Sequence, residues 1–410
     1  MRVLVSAYAC EPGRGSEPGV GWSWVREIAR FNEVWVVTRA NNRPLIEAAL
    51  GASALSSLHW VYFDLPPWLR FWKRRGFGVR LYYLLWQIGL YFVARRLHKQ
   101  NNLELIHHLT FGTYWMPTFL ALLPVPFVWG PLGGGESAPP AFRRFFGQRA
   151  RLYEVMRDAI RTIGELNPLL RFTARRAILT LCKTVDTEKR LQRLGARRTL
   201  VYSEVGLPEA DIQRLNNLSS REESAVRLVS LGRLIHWKGF ELAVNAFAKF
   251  HRAFPESEYW IIGDGPERRR LEALAQRLGV ADSVRFFGGM SRAHVLQSLE
   301  SCDVLVHPSL HDSGGWVCVE AMASGRPVIC LDLGGPAIQV THETGIKVRA
   351  TTPQQVILDL AQAMSQLAQD GRRRHHLGQA GRRRVQEHFS WHSKGQWIKE
   401  LFLAIKTIEA

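Results

Sequence analysis

Short apolar runs that end in glycine or a polar turn, each followed by a helical stretch, occur in two successive series along the chain. This alternation limits the fold more than any other feature. The first series places strands at 2–9, 33–38, 58–63, 105–108 and 126–129, with a helix over 22–30 after a loop holding Gly13, Gly15, Gly19 and Gly21. The second places strands at 225–231, 258–262, 284–287, 303–306 and 327–331, with helices over 241–254, 266–278 and 316–324. Apolar strands separated by helices make parallel sheets with both faces covered. A chain of 410 residues is too long for one ordinary core. The expectation is therefore an α/β protein of two domains, 1–203 and 204–385, joined within 201–224 where Glu and Ser cluster. Ligands of such sheets bind outside the carboxyl ends of the strands.

Composition narrows the class. Hydrophobic residues make up 46%, which argues against extensive disorder. The five cysteines are odd in number and show no CxxC spacing, against a disulfide framework or a zinc site and in keeping with a reducing compartment. The first ten residues read as a buried strand rather than a signal peptide. Net charge is +18, a balance that attracts phosphates, nucleic acid or anionic lipid. The basic residues cluster in 68–96 with Trp68, Phe71, Trp72 and Phe77, in 142–151, and in 372–384. The apolar stretch 79–97 carries Arg80 and Gln87 and reads as an amphipathic or buried helix, not a membrane span.

Three strand ends carry candidate chemistry. Gly232-Arg233 and Lys238-Gly239 follow the first strand of the second series. Two cations beside a glycine turn suit a diphosphate, though a solvated surface turn reads the same way. Gly263-Asp264-Gly265-Pro266 ends the next strand. Glycines there would admit a ligand close to the backbone, and most such stretches are only turns. The segment 307–315 leads into the helix expected over 316–324. Gly314 and Gly315 then sit at a helix N-terminus, where free N–H groups favour anions. Asp312 precedes that terminus and Glu320 lies further in, about 10 Å or more away by helical rise. That is long for a hydrolytic carboxylate pair. The two acids would instead hold separate hydroxyl-bearing parts of one extended ligand, or else serve as a helix cap and a salt-bridged helical Glu.

Taken in order, Gly232-Arg233, Lys238-Gly239, Gly263 to Pro266, Phe287-Gly288, His307-Pro308-Ser309 and the run from Glu320 to Val328 resemble glycosyltransferase family 4. The stretches 16–22 and 129–136 extend the resemblance over the first half. It implies a GT-B fold, with two Rossmann-like doubly wound domains facing a central cleft, and a tail, 386–410, that crosses back to the first domain as a helix. It implies a retaining glycosyltransferase that moves a sugar from a UDP- or GDP-sugar to a glycan or polyprenyl-diphosphate-linked acceptor, in polysaccharide or envelope glycan synthesis. Arg233 and Lys238 would hold the diphosphate and Glu320 the ribose. Asp312 would contact the donor sugar, where the family usually has Glu. Gly19, Gly263, Asp264, Ser313, Gly314 and Gly315 would line the donor. His107 and His108 end the fourth strand, where family members often have a functional His. Alternation sends the two rings to opposite faces, so which one points inward stays open.

No Asp-x-Asp occurs in the sequence, so neither a metal nor a cofactor is expected; cations and a helix terminus would stabilise the leaving diphosphate. Localisation is expected to be cytoplasmic, peripheral on the inner face of the cell membrane, with no nucleic-acid partner. Two rivals stand beside this reading. One is a non-catalytic polyanion- or membrane-binding protein on the same fold, and the other is a phosphorylase.

Overall fold

The computed structural model describes residues 1–51, 55–69, 78–218 and 225–409. Among the described residues thirteen strands form two sheets, parallel throughout. The first holds β1 (Arg2–Ser6), β2 (Glu33–Thr38), β3 (Leu58–Tyr62), β4 (Leu105–His108), β5 (Phe127–Leu132), β6 (Leu179–Cys182) and β7 (Thr199–Val201), in the order β3-β2-β1-β4-β5-β6-β7. The second holds β8 (Arg227–Leu231), β9 (Glu258–Ile262), β10 (Val284–Gly288), β11 (Val304–His307), β12 (Val328–Leu331) and β13 (Gly345–Val348), in the order β10-β9-β8-β11-β12-β13. Both are doubly wound. The strand order reverses between β1 and β4 in one and between β8 and β11 in the other, and such switch points open crevices at the carboxyl ends.

The strands are apolar on both faces because helices cover both. β1 is buried from Val3 onward and β4 is buried throughout. On one face of the second sheet Phe247, Phe250 and Tyr259 pack with Val304, Ile329 and Met364, and on the other Val229, Leu305 and Cys330 pack with Val319 and Met322. β6, β7 and β13 were not expected from the sequence. β7 has three residues and is half-exposed at the sheet edge, and β13 is broken by Gly345 and Lys347; β6 does lie in an apolar run, from Ala177 to Cys182.

Contacts divide the chain into two compact units: Met1–Gly135, Arg157–Glu204 and Lys394–Ala410 in one, Glu136–Met156 and Val205–Ser393 in the other. Two segments thus depart from the expected continuous domains. Residues 136–156 belong to the second unit, because Ala138, Phe142 and Phe146 are buried in its core beside Phe240 and Leu310. Residues 386–393 also stay there: Leu207 bonds to Phe389 at 2.7 Å, and Trp391 lies against Gly206. No described helix is long and apolar enough to cross a membrane. The helix Val79–Asn101 buries Tyr82, Tyr83, Trp86 and Leu90 in the first unit's core.

Candidate functional site

The second unit's switch point assembles from glycines that let loop backbones touch. Gly232 and Gly263 follow β8 and β9, both with φ of 142°. A Cβ on Gly263 would lie 1.9 Å from the Gly232 carbonyl oxygen, and one on Gly265 2.4 Å from that of Leu234. These glycines therefore serve loop-to-loop packing, which corrects the expectation that they open the backbone to a ligand. Asp264 is exposed, and its carboxylate accepts from the neighbouring Gly265 N–H at 2.8 Å. Gly239 approaches Pro308, where a Cβ would meet the carbonyl oxygen at 2.0 Å. Gly334 and Gly335 press on Asp312 and Ser313 in the same way, and the Gly335 N–H donates to the Asp312 carbonyl at 2.7 Å. The loops after β8, β11 and β12 are thus locked to one another by backbone contact.

Lys238 and Asp312 meet at this point. The ammonium pairs with Asp312 Oδ2, and their side chains are only 20% and 17% exposed. His307 Nε2 lies 3.2 Å from the same oxygen. Asp312 Oδ1 accepts from the N–H groups of Gly314 and Gly315, each at 3.3 Å. Burial alone would raise the Asp312 carboxyl, but Lys238 and His307 overcome it and hold it far below the usual carboxylate range. Burial lowers the His307 pKa, with Asp312 acting against it. The two glycine N–H groups expected to face an anion are therefore engaged by Asp312. The next N–H groups, of Trp316 and Val317, open the helix Trp316–Ala323 and have no intrahelical carbonyl to meet. Arg233 is exposed, and among the described residues its guanidinium has no ion-pair partner. The structure joins Lys238 to Asp312 rather than to Arg233.

Glu320 is buried on the next turn of that helix and pairs with Arg292 at 2.7 Å. Arg292 also reaches Asp211 at 3.2 Å. Burial raises the Glu320 carboxyl, and Arg292 only partly offsets the rise. Arg292 was not identified from the sequence. It opens the helix Arg292–Ser298, three residues after the Gly288-Gly289 turn that ends β10, and nothing in that local pattern names its partner on another helix.

The first unit's candidates sit at its own switch point. β4 pairs Val5 with His107 and Ser6 with His108. The rings take opposite faces, as strand alternation requires. His107 Nε2 lies 2.7 Å from the Gly130 carbonyl, with Trp24 and Phe402 packed edge-on. His108 Nε2 lies 2.9 Å from the Tyr83 hydroxyl. Both rings are buried, and burial lowers His107 to about 4 and His108 to about 3. Both are neutral at physiological pH, and neither reaches the surface. Gly19 lies in the first turn of the helix Glu17–Ala29, where a Cβ would strike the Arg14 carbonyl oxygen at 1.9 Å. Its lack of a side chain is a local packing demand.

Residues 213–384 match the family model described as glycosyl transferases group 1. Among characterised relatives, the lipopolysaccharide core biosynthesis glycosyltransferase LpsD of Rhizobium meliloti is 30% identical over 167 residues, 40% of this chain and 46% of that protein. The 2-deoxystreptamine glucosyltransferase of Streptomyces kanamyceticus is 32% identical over 127 residues, 31% of this chain and 33% of that protein. These alignments span less than half the length of either relative. Similar solved structures include Anabaena HepE in complex with UDP and glucose, with a TM-score of 0.60, 18% identity and coverage of 98% of this chain and 100% of that one. Sucrose-phosphate synthase from Thermosynechococcus elongatus gives 0.65 at 20% identity, covering 99% of each chain. At such identities the likeness establishes fold alone. The chain has the GT-B fold, and the match to glycosyl transferases group 1 falls on the part that carries Lys238, Arg292, Asp312 and Glu320.

Proposed function

We propose that the chain is a family 4-like, retaining glycosyltransferase that takes its sugar from a UDP- or GDP-sugar. The observation that carries this is the second unit's switch point: a Lys238–Asp312 pair at the mouth of the helix Trp316–Ala323, with the buried Glu320 carboxylate one turn in. HepE, of the same fold, is known in complex with UDP and with UDP-glucose. In this reading Glu320 accepts the ribose hydroxyls. Lys238, Arg233 and the opening N–H groups of the helix take the diphosphate, and Asp312 faces the sugar with Ser313 beside it. Gly19, Gly263 and Asp264 shape the surrounding loops. An acceptor oxygen replaces the diphosphate at the anomeric carbon, and the charge that builds on the departing group falls on fixed donors. The reading uses no metal or cofactor. His107 and His108 act as buried scaffold of the first unit, since catalysis would need an exposure neither ring has here. Turnover of a panel of UDP-, GDP- and ADP-sugars, scored by nucleotide release, tests it. One sugar nucleotide should be consumed well above the others. Tight nucleotide binding without turnover of any would favour the non-catalytic alternative.

A second element of the proposal is work on the inner face of the cell membrane, on a glycan or polyprenyl-diphosphate-linked acceptor. The helix Val79–Asn101 leaves Leu81, Ile88 and Phe92 exposed, and spacings of seven and four residues put them on one stripe. Arg80, Arg95, Arg96 and Lys99 surround it, and Trp68 is exposed just upstream. The densest part of the basic-aromatic segment, 70–77, lies outside the described residues. Apolar side chains at headgroup depth with cations toward anionic lipid are how interfacial helices bind, each cation giving about 1 kcal/mol. Sedimentation should recover the protein with anionic vesicles at low salt. Recovery should fall as salt rises and in an Ile88→Ser/Phe92→Ser variant. Equal recovery in the supernatant with and without vesicles would remove this element.

A further inference from the structure

The segment that the second unit draws from the first half of the sequence reaches the donor loops through one carboxylate. Glu154, in the helix Gln148–Glu165, is 1% exposed. Its Oε1 lies 2.9 Å from His236 Nε2 and 3.1 Å from His311 Nε2. When ionised, this carboxylate accepts a hydrogen bond from each imidazole's Nε2–H. His236 opens the turn that ends in Lys238, and His311 directly precedes Asp312. The neighbouring Tyr153 stacks on Trp237 at 5.4 Å and 11°, and Trp237 stacks on His311 at 5.1 Å and 16°. Beneath the rings the Leu310 N–H donates to the Trp237 carbonyl at 2.8 Å. All of these residues belong to the second unit.

We infer that Glu154 is a positioning residue for the donor site: by bonding His236 and His311 together, it sets where Lys238 and Asp312 stand. The inference rests on the glycosyltransferase reading for its kinetic consequence, but not for its structural one. A buried carboxylate must be met by donors, and two of those that meet Glu154 belong to the two loops that carry the charged pair. The Lys238–Asp312 pair alone would leave both loops free to shift as a unit. Anchoring each loop to the same buried oxygen removes that freedom. Its influence on Lys238 and Asp312 passes through His236 and His311.

The test is Glu154→Gln, which keeps shape and removes the charge. Amide hydrogen exchange should accelerate several-fold in 233–239 and 308–315 together. The donor KM should rise about tenfold, with kcat changed much less, because a loosened loop costs ground state and transition state alike. Glu154→Asp, which restores the charge, should recover part of the affinity. If Glu154→Gln does not fold, His311→Gln takes its place: exchange should then quicken in 308–315 and less in 233–239, where His236 keeps its bond. Faster exchange in one loop only after Glu154→Gln, or a lower Tm with KM unchanged per folded molecule, would overturn the inference. A wild-type protein that binds no sugar nucleotide would instead defeat the functional reading, and the exchange experiment would still decide the clamp.

Discussion

Lys238→Ala is expected to lower kcat/KM for the sugar nucleotide by about 10³, or about 4 kcal/mol of transition-state stabilisation. Lys238 is the cation fixed at the switch point, held by Asp312 and backed by loops whose glycines leave no slack. Arg233 is exposed and carries no such restraint, so Arg233→Ala should cost less. The same substitution removes the main counter-charge of a largely buried carboxylate. Asp312 keeps His307 and the glycine N–H groups, so its carboxyl should rise yet stay partly stabilised. Both side chains retain some exposure, and the stability loss should be about 1–3 kcal/mol, below that of a fully buried broken pair. Asp312's pKa is depressed, so the pair's stabilisation is present above the ordinary carboxylate range and is lost as pH falls through the lower folded value. The double variant Lys238→Ala/Asp312→Ala should regain part of the lost Tm, since no unmatched carboxylate remains, and recover no turnover. Full activity in Lys238→Ala would remove Lys238 from the site; a double variant less stable than the sum of the singles would refute the pairing argument.

How far the sequence alone reaches can be read from the same residues. β2 and β12 fall where their apolar runs predict, because strands covered on both faces must be continuously apolar. Lys238 and Asp312 were findable since they sit beside glycine turns at strand and helix ends, and Glu320 since it lies in the helix that follows that turn. Arg292 and Glu154 were not. Each acts across a gap of sequence: Arg292 on Glu320, and Glu154 on His311 157 residues away. No periodicity encodes a partner at that separation. The placement of 136–156 was hidden for a related reason. Phe142 and Phe146 look like any buried aromatics, and only the assembled core shows which sheet they join. The glycines misled in one respect. Gly263 and Gly265 carry the signature of close backbone approach, but what approaches is the chain itself.

Glu320→Gln should weaken nucleotide binding strongly and make it independent of pH, while leaving Tm at neutral pH unchanged or raised. Burial raises the Glu320 carboxyl above its ordinary value, with Arg292 pulling it partway back. The folded state therefore binds this proton more tightly than the unfolded chain does. Stability tied to it is greatest at low pH and is lost as pH rises through the folded pKa, so the ionised form is a burden on the fold at neutral pH. A neutral amide lifts that burden, and the half-exposed Arg292 keeps Asp211. Binding runs the other way. Two ribose hydroxyls need an acceptor with free lone pairs, which the ionised carboxylate supplies and the protonated one does so only in part. Affinity for the nucleoside diphosphate should therefore weaken as pH falls through the raised Glu320 pKa. Arg292→Ala removes the influence that lowers this pKa, so the weakening should begin at higher pH. At alkaline pH the same variant should bind at least as well as wild type, because the carboxylate no longer has to share an oxygen with a guanidinium. Calorimetric titration across pH 5–9 reads both limbs. Parallel curves for wild type and Arg292→Ala would separate Arg292 from Glu320's ionisation. A pH-dependent affinity surviving in Glu320→Gln would assign the titration to another group.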